Sequence, residues 1–290
     1  MRGRRTLALR SHDHVLAKII DAHAHCSDKR KDDQLRPYAE RNGLRYDLDE
    51  LLTSMEEKGV ASSLLLSPPM GGGAPLPNLE IVKMCGKSRD RLFPVLTVEP
   101  QKKAVRDALR LADSQRGFVK GFKVWLGYRL VFAHDVVFGP LYDYAQEHGL
   151  PVLFHSGDTA SSNGSLVHAH PLTLDRVANE REGLKIVVCH FGNPWVVDTA
   201  ELVYKHGNVF ADISGLIVGG SPYQKQYMRM LAERISEAVY FAGGAEKIVF
   251  GTDYPVQTLE NGISLVSALK VTQADREKIL WRNAARLFSV

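Results

Sequence analysis

IIDAHAH, residues 19–25, is an apolar run that ends on two histidines two positions apart. In an extended strand residues i and i+2 share a face, so the imidazoles of His23 and His25 point to one place. A run that is apolar throughout suits a parallel strand covered by helices on both faces. The same kind of run recurs at 61–67, 92–98, 121–126, 151–155, 185–190, 208–213 and 247–253.

Helical patterns fill the intervals. Asp47 caps DLDELLTSMEEKG, which stops at Gly59, and PLYDYAQEHG stops at Gly149 in the same way. KKAVRDALRLADS, LTLDRVANEREG, NPWVVDTAELVYKHG and QYMRMLAERISEAVYFAG repeat the periodicity, and DREKILWRNAARLFSV closes the chain. Strands alternating with helices in eight rounds predict an α/β fold closed into a (β/α)8 TIM barrel, a single domain over 17–290. The length of 290 residues suits one such barrel of about 250 residues with insertions. No GxGxxG or GxxxxGK[ST] follows any strand, which argues against a nucleotide fold.

Composition narrows the class. Apolar residues make up 44% and charged ones 24%, an ordinary globular balance, and no apolar run approaches the ~18 residues of a membrane span. The net charge of +4 is local, because MRGRRTLALR carries four Arg and no acid. Residues 1–16 therefore read as a flexible basic leader and not a nucleic-acid arm, and they lack the apolar core of a secretory signal. Cys26, Cys85 and Cys189 are odd in number and have no CxxC spacing, so neither a disulfide framework nor a zinc ribbon is implied. A cytoplasmic protein with a small-molecule substrate is the expectation, with no nucleic-acid or membrane partner, and with a homodimer as the default assembly.

The chemistry lies at strand ends. His155 ends the fifth run (PVLFH), His190 the sixth (KIVVCH) and Asp253 the eighth (KIVFGTD). A lone HxH or a lone terminal Asp has a bland explanation in packing or in a turn. Five such groups at the C-terminal ends of four strands would converge over the barrel mouth, where sites of this architecture lie. Neutral imidazoles with a carboxylate suit Zn²⁺, or Mn²⁺, Fe²⁺ or Co²⁺, far better than Ca²⁺ or Mg²⁺. His12, His14, His134, His148, His168, His170 and His206 fall in the leader, loops or helices and read as solvated. Strand alternation turns Cys26 and Cys189 away from the neighbouring histidines, as packing residues.

IIDAHAH, GFKVWLG, LPVLFHSGD, IVVCHFGNPW, NVFADISG, FGTDYP and ILWRNAARLF, in this order, resemble the amidohydrolase superfamily, in particular its amidohydrolase 2 branch, from about residue 18 to 290. The resemblance implies that His23, His25, His155 and His190 ligate metal, and that Asp253 binds metal and shuttles the proton. Lys123 falls where binuclear relatives carry a carboxylated lysine bridging two ions, while the amidohydrolase 2 branch often uses one; one ion or two is left open. A bound metal lowers the pKa of water to near neutrality and polarises a carbonyl, so no Ser or Cys nucleophile is required. The first reading is thus a metal-dependent hydrolase of an amide, lactone or related bond. The second is a metal-dependent decarboxylase of an aromatic or enoic acid, since the same branch contains such lyases and His190 there acts on the substrate. A non-catalytic metal-binding protein is the third.

Flanking residues are candidates for substrate contact. Tyr128 could stabilise an oxyanion through its hydroxyl, and Trp125, Asn193 and Trp195 could bind substrate, as could Tyr254. Each could equally pack the rim. The loops at 26–46 and 68–77 leave the same end of the barrel, and Arg36, Arg41, Arg45 and Arg129 could reach an anionic group.

Overall fold

The computed structural model describes residues 18–27, 34–68 and 76–290. The proposed leader at 1–16, and most of the Gly/Pro-rich stretch at 68–77, lie outside the described residues. Eight parallel strands form one sheet in the order β1 to β8: β1 Ile19–His25, β2 Val60–Leu66, β3 Leu92–Thr97, β4 Gly121–Val124, β5 Val152–Phe154, β6 Ile186–Val188, β7 Val209–Asp212 and β8 Ile248–Val249. The circle is nearly closed by backbone hydrogen bonds from the β1 chain to the segment after β8. Ala22 N donates to Phe250 O (2.9 Å), Asp253 N to His23 O (2.7 Å) and His25 N to Tyr254 O (2.8 Å).

Local signals place the helices as the sequence suggested. The Asp47 side chain accepts from Glu50 N at 2.9 Å, and Gly149 ends its helix in the left-handed region at φ 63°. Lys102–Ser114 buries Val105, Ala108 and Ala112, a three–four spacing that lays one stripe on the sheet. Among the described residues no helix is long and apolar enough to cross a membrane.

Two apolar layers result. Leu64, Leu66, Val95, Leu153, Val187 and Val249 point into the barrel, while a larger shell between sheet and helices holds residues such as Phe122, Phe154 and Ile186. The last helix, Asn283–Phe288, seals the barrel's lower end, with Ala284, Leu287 and Phe288 packed into the interior cluster. Asn283 anchors this seal. Its buried amide donates to Ala245 O (2.6 Å) and Ile248 O (2.7 Å) beside β8.

Asn283→Ala removes a donor shared by two buried carbonyls, which costs about 1–3 kcal/mol. The expected result is a lower denaturant midpoint at unchanged m-value, with metal affinity kept. An unchanged midpoint would show that the amide is dispensable.

Candidate metal centre

A register irregularity in β1 aims the histidines. Ile20 and Ala22 belong to the barrel interior, whereas Ala24 and Cys26 belong to the outer shell. The β1–β2 pairing shifts between Asp21 and Ala24. Strict alternation from Ile20 would have sent His23 and His25 outward; the bulge reverses the parity and turns them inward. Asp21 secures the bulge. Its carboxylate accepts from His23 N (3.1 Å), Thr252 N (3.0 Å) and Thr252 Oγ1 (2.6 Å), tying β1 to the segment after β8. Burial is the main reason its carboxyl is pushed up to about 7.

Asp253 and His190 reach the site by unusual backbone. Both sit in the left-handed region, at φ 57° and 60°, and Phe191 follows at 49°. Such conformations cost free energy for non-glycine residues and mark places where the surroundings dictate the chain's course. Gly215 makes room for them: a Cβ there would lie 2.7 Å from Asp253 Oδ2 and 3.1 Å from His190 Nδ1.

Hydrogen bonds assign the tautomers, because each ring meets an acceptor-only partner. His25 Nδ1 lies 2.9 Å from Leu66 O, and His23 Nδ1 lies 3.0 Å from Asp212 Oδ2. His190 Nδ1 faces Ser214 O at 3.1 Å and Ser214 Oγ at 2.9 Å. In all three the proton is on Nδ1 and the Nε2 lone pair is left to the interior. His155 is the reverse: Nε2 donates to Asp158 O at 2.9 Å, and its buried Nδ1 has no partner.

These lone pairs make a donor set. His23 Nε2 is buried without a partner, 3.4 Å from Asp253 Oδ1, and His25 Nε2 is 2.9 Å from the same oxygen. Two acceptors that close require a cation against them, a proton or a metal. His23, His25 and Asp253 offer ligand atoms all within 4.8 Å of one another, the dimensions of a metal site. A second group, His23, Cys189 and Asp212, meets the same limit but is already joined by the His23–Asp212 hydrogen bond. The first set therefore fits a divalent transition ion better.

Burial suits these groups to that role. It pushes His23 down to about 3, helped by the charge of Lys123, and it lowers His155 and His190 as well. Neutral imidazole is the ligating form. Burial alone would raise Asp253, but the His190, His25 and His23 rings facing it outweigh this and hold the carboxyl well below the usual range.

The remaining candidates divide. Rings connect His190 to His23 and to His155, each at 5.0 Å between centroids, and Trp125 lies between His25 (5.9 Å) and His155 (5.7 Å). Trp125, Tyr128, His155, His190, Asn193 and Asp253 line a cavity of about 520 Å³. Tyr128 Oη accepts from Ala160 N at 3.0 Å, which leaves its own proton to be donated. Trp195 is placed elsewhere, its ring tilted against His170 with centroids 4.6 Å apart. Lys123 is wholly buried; its Nζ donates to Cys189 Sγ (2.9 Å) and lies 4.6 Å over the Trp125 ring. Cys189 keeps the inward parity of Val187 and faces the interior beside the site; it is not turned away from His190, because the left-handed backbone at His190 brings that ring to the same side. Arg129 is held by Glu99 (2.6 and 3.2 Å) and Arg41 lies over Tyr38 (5.6 Å). Among the described lining residues of the cavity there is no Arg or Lys.

Asp212 was not singled out from the sequence. NVFADISG carries the signal that could have found it, an acid at a strand's C-terminal end. Tyr38, Tyr223 and Tyr227 also line the cavity, from loop and helix positions that bear no such mark.

A family model described as amidohydrolase matches residues 20–290. The gamma-resorcylate decarboxylase of Rhodococcus jostii (strain RHA1) is 24% identical over 183 residues, 56% of this chain and 46% of that protein. The chain spans about half the length of the curated relatives it matches. Solved structures show the likeness in fold. An amidohydrolase from Burkholderia multivorans with bound zinc superposes with a TM-score of 0.72 at 18% identity, covering 94% of this chain and 100% of the other. A dihydroxybenzoic acid decarboxylase from Polaromonas sp. JS666, with bound manganese and 2-nitroresorcinol, gives 0.68 at 15%, covering 94% and 97%.

Asp212→Asn is expected to weaken Zn²⁺ or Mn²⁺ binding about 10–100-fold, because the carboxylate orients His23. Competition with a chromogenic chelator measures this; wild-type affinity in the variant would remove Asp212 from the site.

Proposed function

The chain belongs to the amidohydrolase family, and from that premise we propose that it is a metal-dependent decarboxylase of a hydroxylated aromatic acid. One observation carries the reading: a single cavity is lined both by the aromatic rings of Tyr38, Trp125, Tyr128, Tyr223 and Tyr227 and by His155, His190 and Asp253. Trp125 and Tyr128 suit the faces and edges of a benzene ring, with His155 stacked beside them. The names of the curated relatives, gamma-resorcylate decarboxylases, support the same class of substrate.

His23, His25 and Asp253 would hold the ion, with His155 Nδ1 a further donor facing inward. A divalent ion bound there would supply positive charge to anchor the substrate's carboxylate and phenolate oxygens. We read the centre as a one-ion site, because the Lys123 amine is engaged by Cys189 and is not directed at the donor set.

His190 is the proton carrier in this reading. Ser214 fixes its Nδ1 edge, and Nε2 is the edge left to the cavity. Nε2, unprotonated in the resting tautomer, takes up a proton from solvent as the substrate binds, and the resulting imidazolium delivers it to the ring carbon that bears the carboxylate and returns to the neutral ring. The bond from that carbon to the carboxylate then breaks, its electron pair returns to the ring, and CO₂ departs. Tyr128, kept protonated because burial raises its phenol, donates a hydrogen bond to a substrate oxygen. Hydrolysis remains the second reading, because Asp253 beside two imidazoles is also placed to take a proton from water.

Metal-loaded protein given 2-hydroxybenzoates in ¹⁸O-water should release CO₂ and yield a phenol without ¹⁸O. Turnover of lactones or amides with ¹⁸O in the acid product, and no CO₂, would establish the hydrolase instead.

His190→Asn should lower kcat about 10²–10⁴-fold while metal content stays that of wild type, as loss of a general acid requires. Asp253→Asn should abolish turnover in a folded protein. Near-normal rates in either variant would remove that residue from proton transfer.

A further inference from the structure

We propose that the cavity is built for a two-ring acid: a hydroxybenzoate bearing a second, uncharged aromatic ring on the side remote from its carboxylate. The inference rests on the decarboxylase reading for the orientation of the carboxylate end.

Size is the first argument. A volume of about 520 Å³ lies in the range that encloses a drug-sized ligand, roughly 300–1,000 Å³, and one benzene ring with its substituents fills only part of it. The second argument is the division of the walls. The strand-end groups His155, Asp158, His190 and Asp253 share the lining with Leu35, Tyr38, Leu216, Val218, Tyr223 and Tyr227, which are apolar or aromatic and come from outside the strands. These come from two elements, the loop helix Arg36–Arg41 with its approach, and the segment after β7 leading into Gln224–Phe241.

The third argument is exposure. Tyr223 is 72% exposed, Val218 41% and Tyr227 39%, all three lining the cavity. Large apolar side chains left in water beside a binding cavity gain by being covered, and a flat ring laid on them does so. Charge is the fourth. The described lining contains no Arg or Lys; Arg129 is held by Glu99, and Arg41 lies over the ring of Tyr38. Among the described lining residues a second carboxylate would therefore find no cationic partner, while Ser221 and Gln224 can hydrogen-bond a neutral hydroxyl or ether.

Calorimetric titration of the Zn²⁺- or Mn²⁺-loaded protein with three acids tests this without requiring turnover: 2-hydroxybenzoate, its 5-phenyl derivative and its 5-carboxy derivative. The phenyl group should tighten binding about tenfold, equal to about 1.4 kcal/mol, and the carboxylate should not. Tyr223→Ala and Tyr227→Ala, at exposed positions where folding is not at stake, should each cut the phenyl advantage at least threefold. Equal affinities for the one- and two-ring acids, an equal gain from the carboxylate, an advantage untouched by both substitutions, or no binding of any acid would each overturn the proposal. CO₂ measurement separates the two readings. A phenyl preference without CO₂ release sinks the decarboxylase and keeps the two-ring compartment, and CO₂ release without the preference does the reverse.

Discussion

The carboxylate of Asp212 is the point on which the centre depends. It is wholly buried and accepts four hydrogen bonds, from His23 Nδ1, His190 N, Ser214 N and Ser214 Oγ. Burial by itself would drive the carboxyl to its neutral form, but His23, His190 and Ser214 reverse this and keep it ionised. A buried anion so fully engaged joins the ends of β1, β6 and β7 and fixes which nitrogen of His23 carries the proton. The lone pair left on Nε2 is what turns a core histidine into a ligand.

Asp21 performs the parallel task one step below. Its bonds to Thr252 hold the segment after β8 against the β1 bulge, and so bring Asp253 to His23 and His25. Two buried carboxylates thus set the relative positions of strands that are otherwise joined by generic apolar packing. The left-handed backbone at His190 and Asp253 is tolerated because these bonds, and the space at Gly215, over-determine it.

Above this rigid floor the cavity owes its shape to different sources. Trp125 and Tyr128 follow β4 directly, whereas Tyr38 comes from the loop helix after β1 and Tyr223 and Tyr227 from the start of the helix after β7. The chemistry is therefore carried by strand ends and the choice of substrate by what the loops add. This division explains why relatives of one fold can differ in what they transform, and why likeness in fold alone assigns no substrate.

Much of this was legible in the amino-acid order. Eight apolar runs with helices between them specify a barrel, because burying both faces of each strand leaves few other closed arrangements. The histidines and Asp253 could be placed at one end because a strand's C-terminal end is recognisable locally. The direction of each side chain was not so legible. Alternation predicted that Cys189 turns away from the site, and the structure puts its sulfur on Lys123. Alternation likewise gives no hint of the β1 bulge that swings His23 and His25 inward. A bulge and a left-handed residue are chosen by contacts far apart in sequence, here Asp21 with Thr252 and Asp212 with His23 and His190. Local pattern determined which elements form and where their ends lie; only the closed barrel, by bringing buried carboxylates against distant partners, decided which way the ligands face.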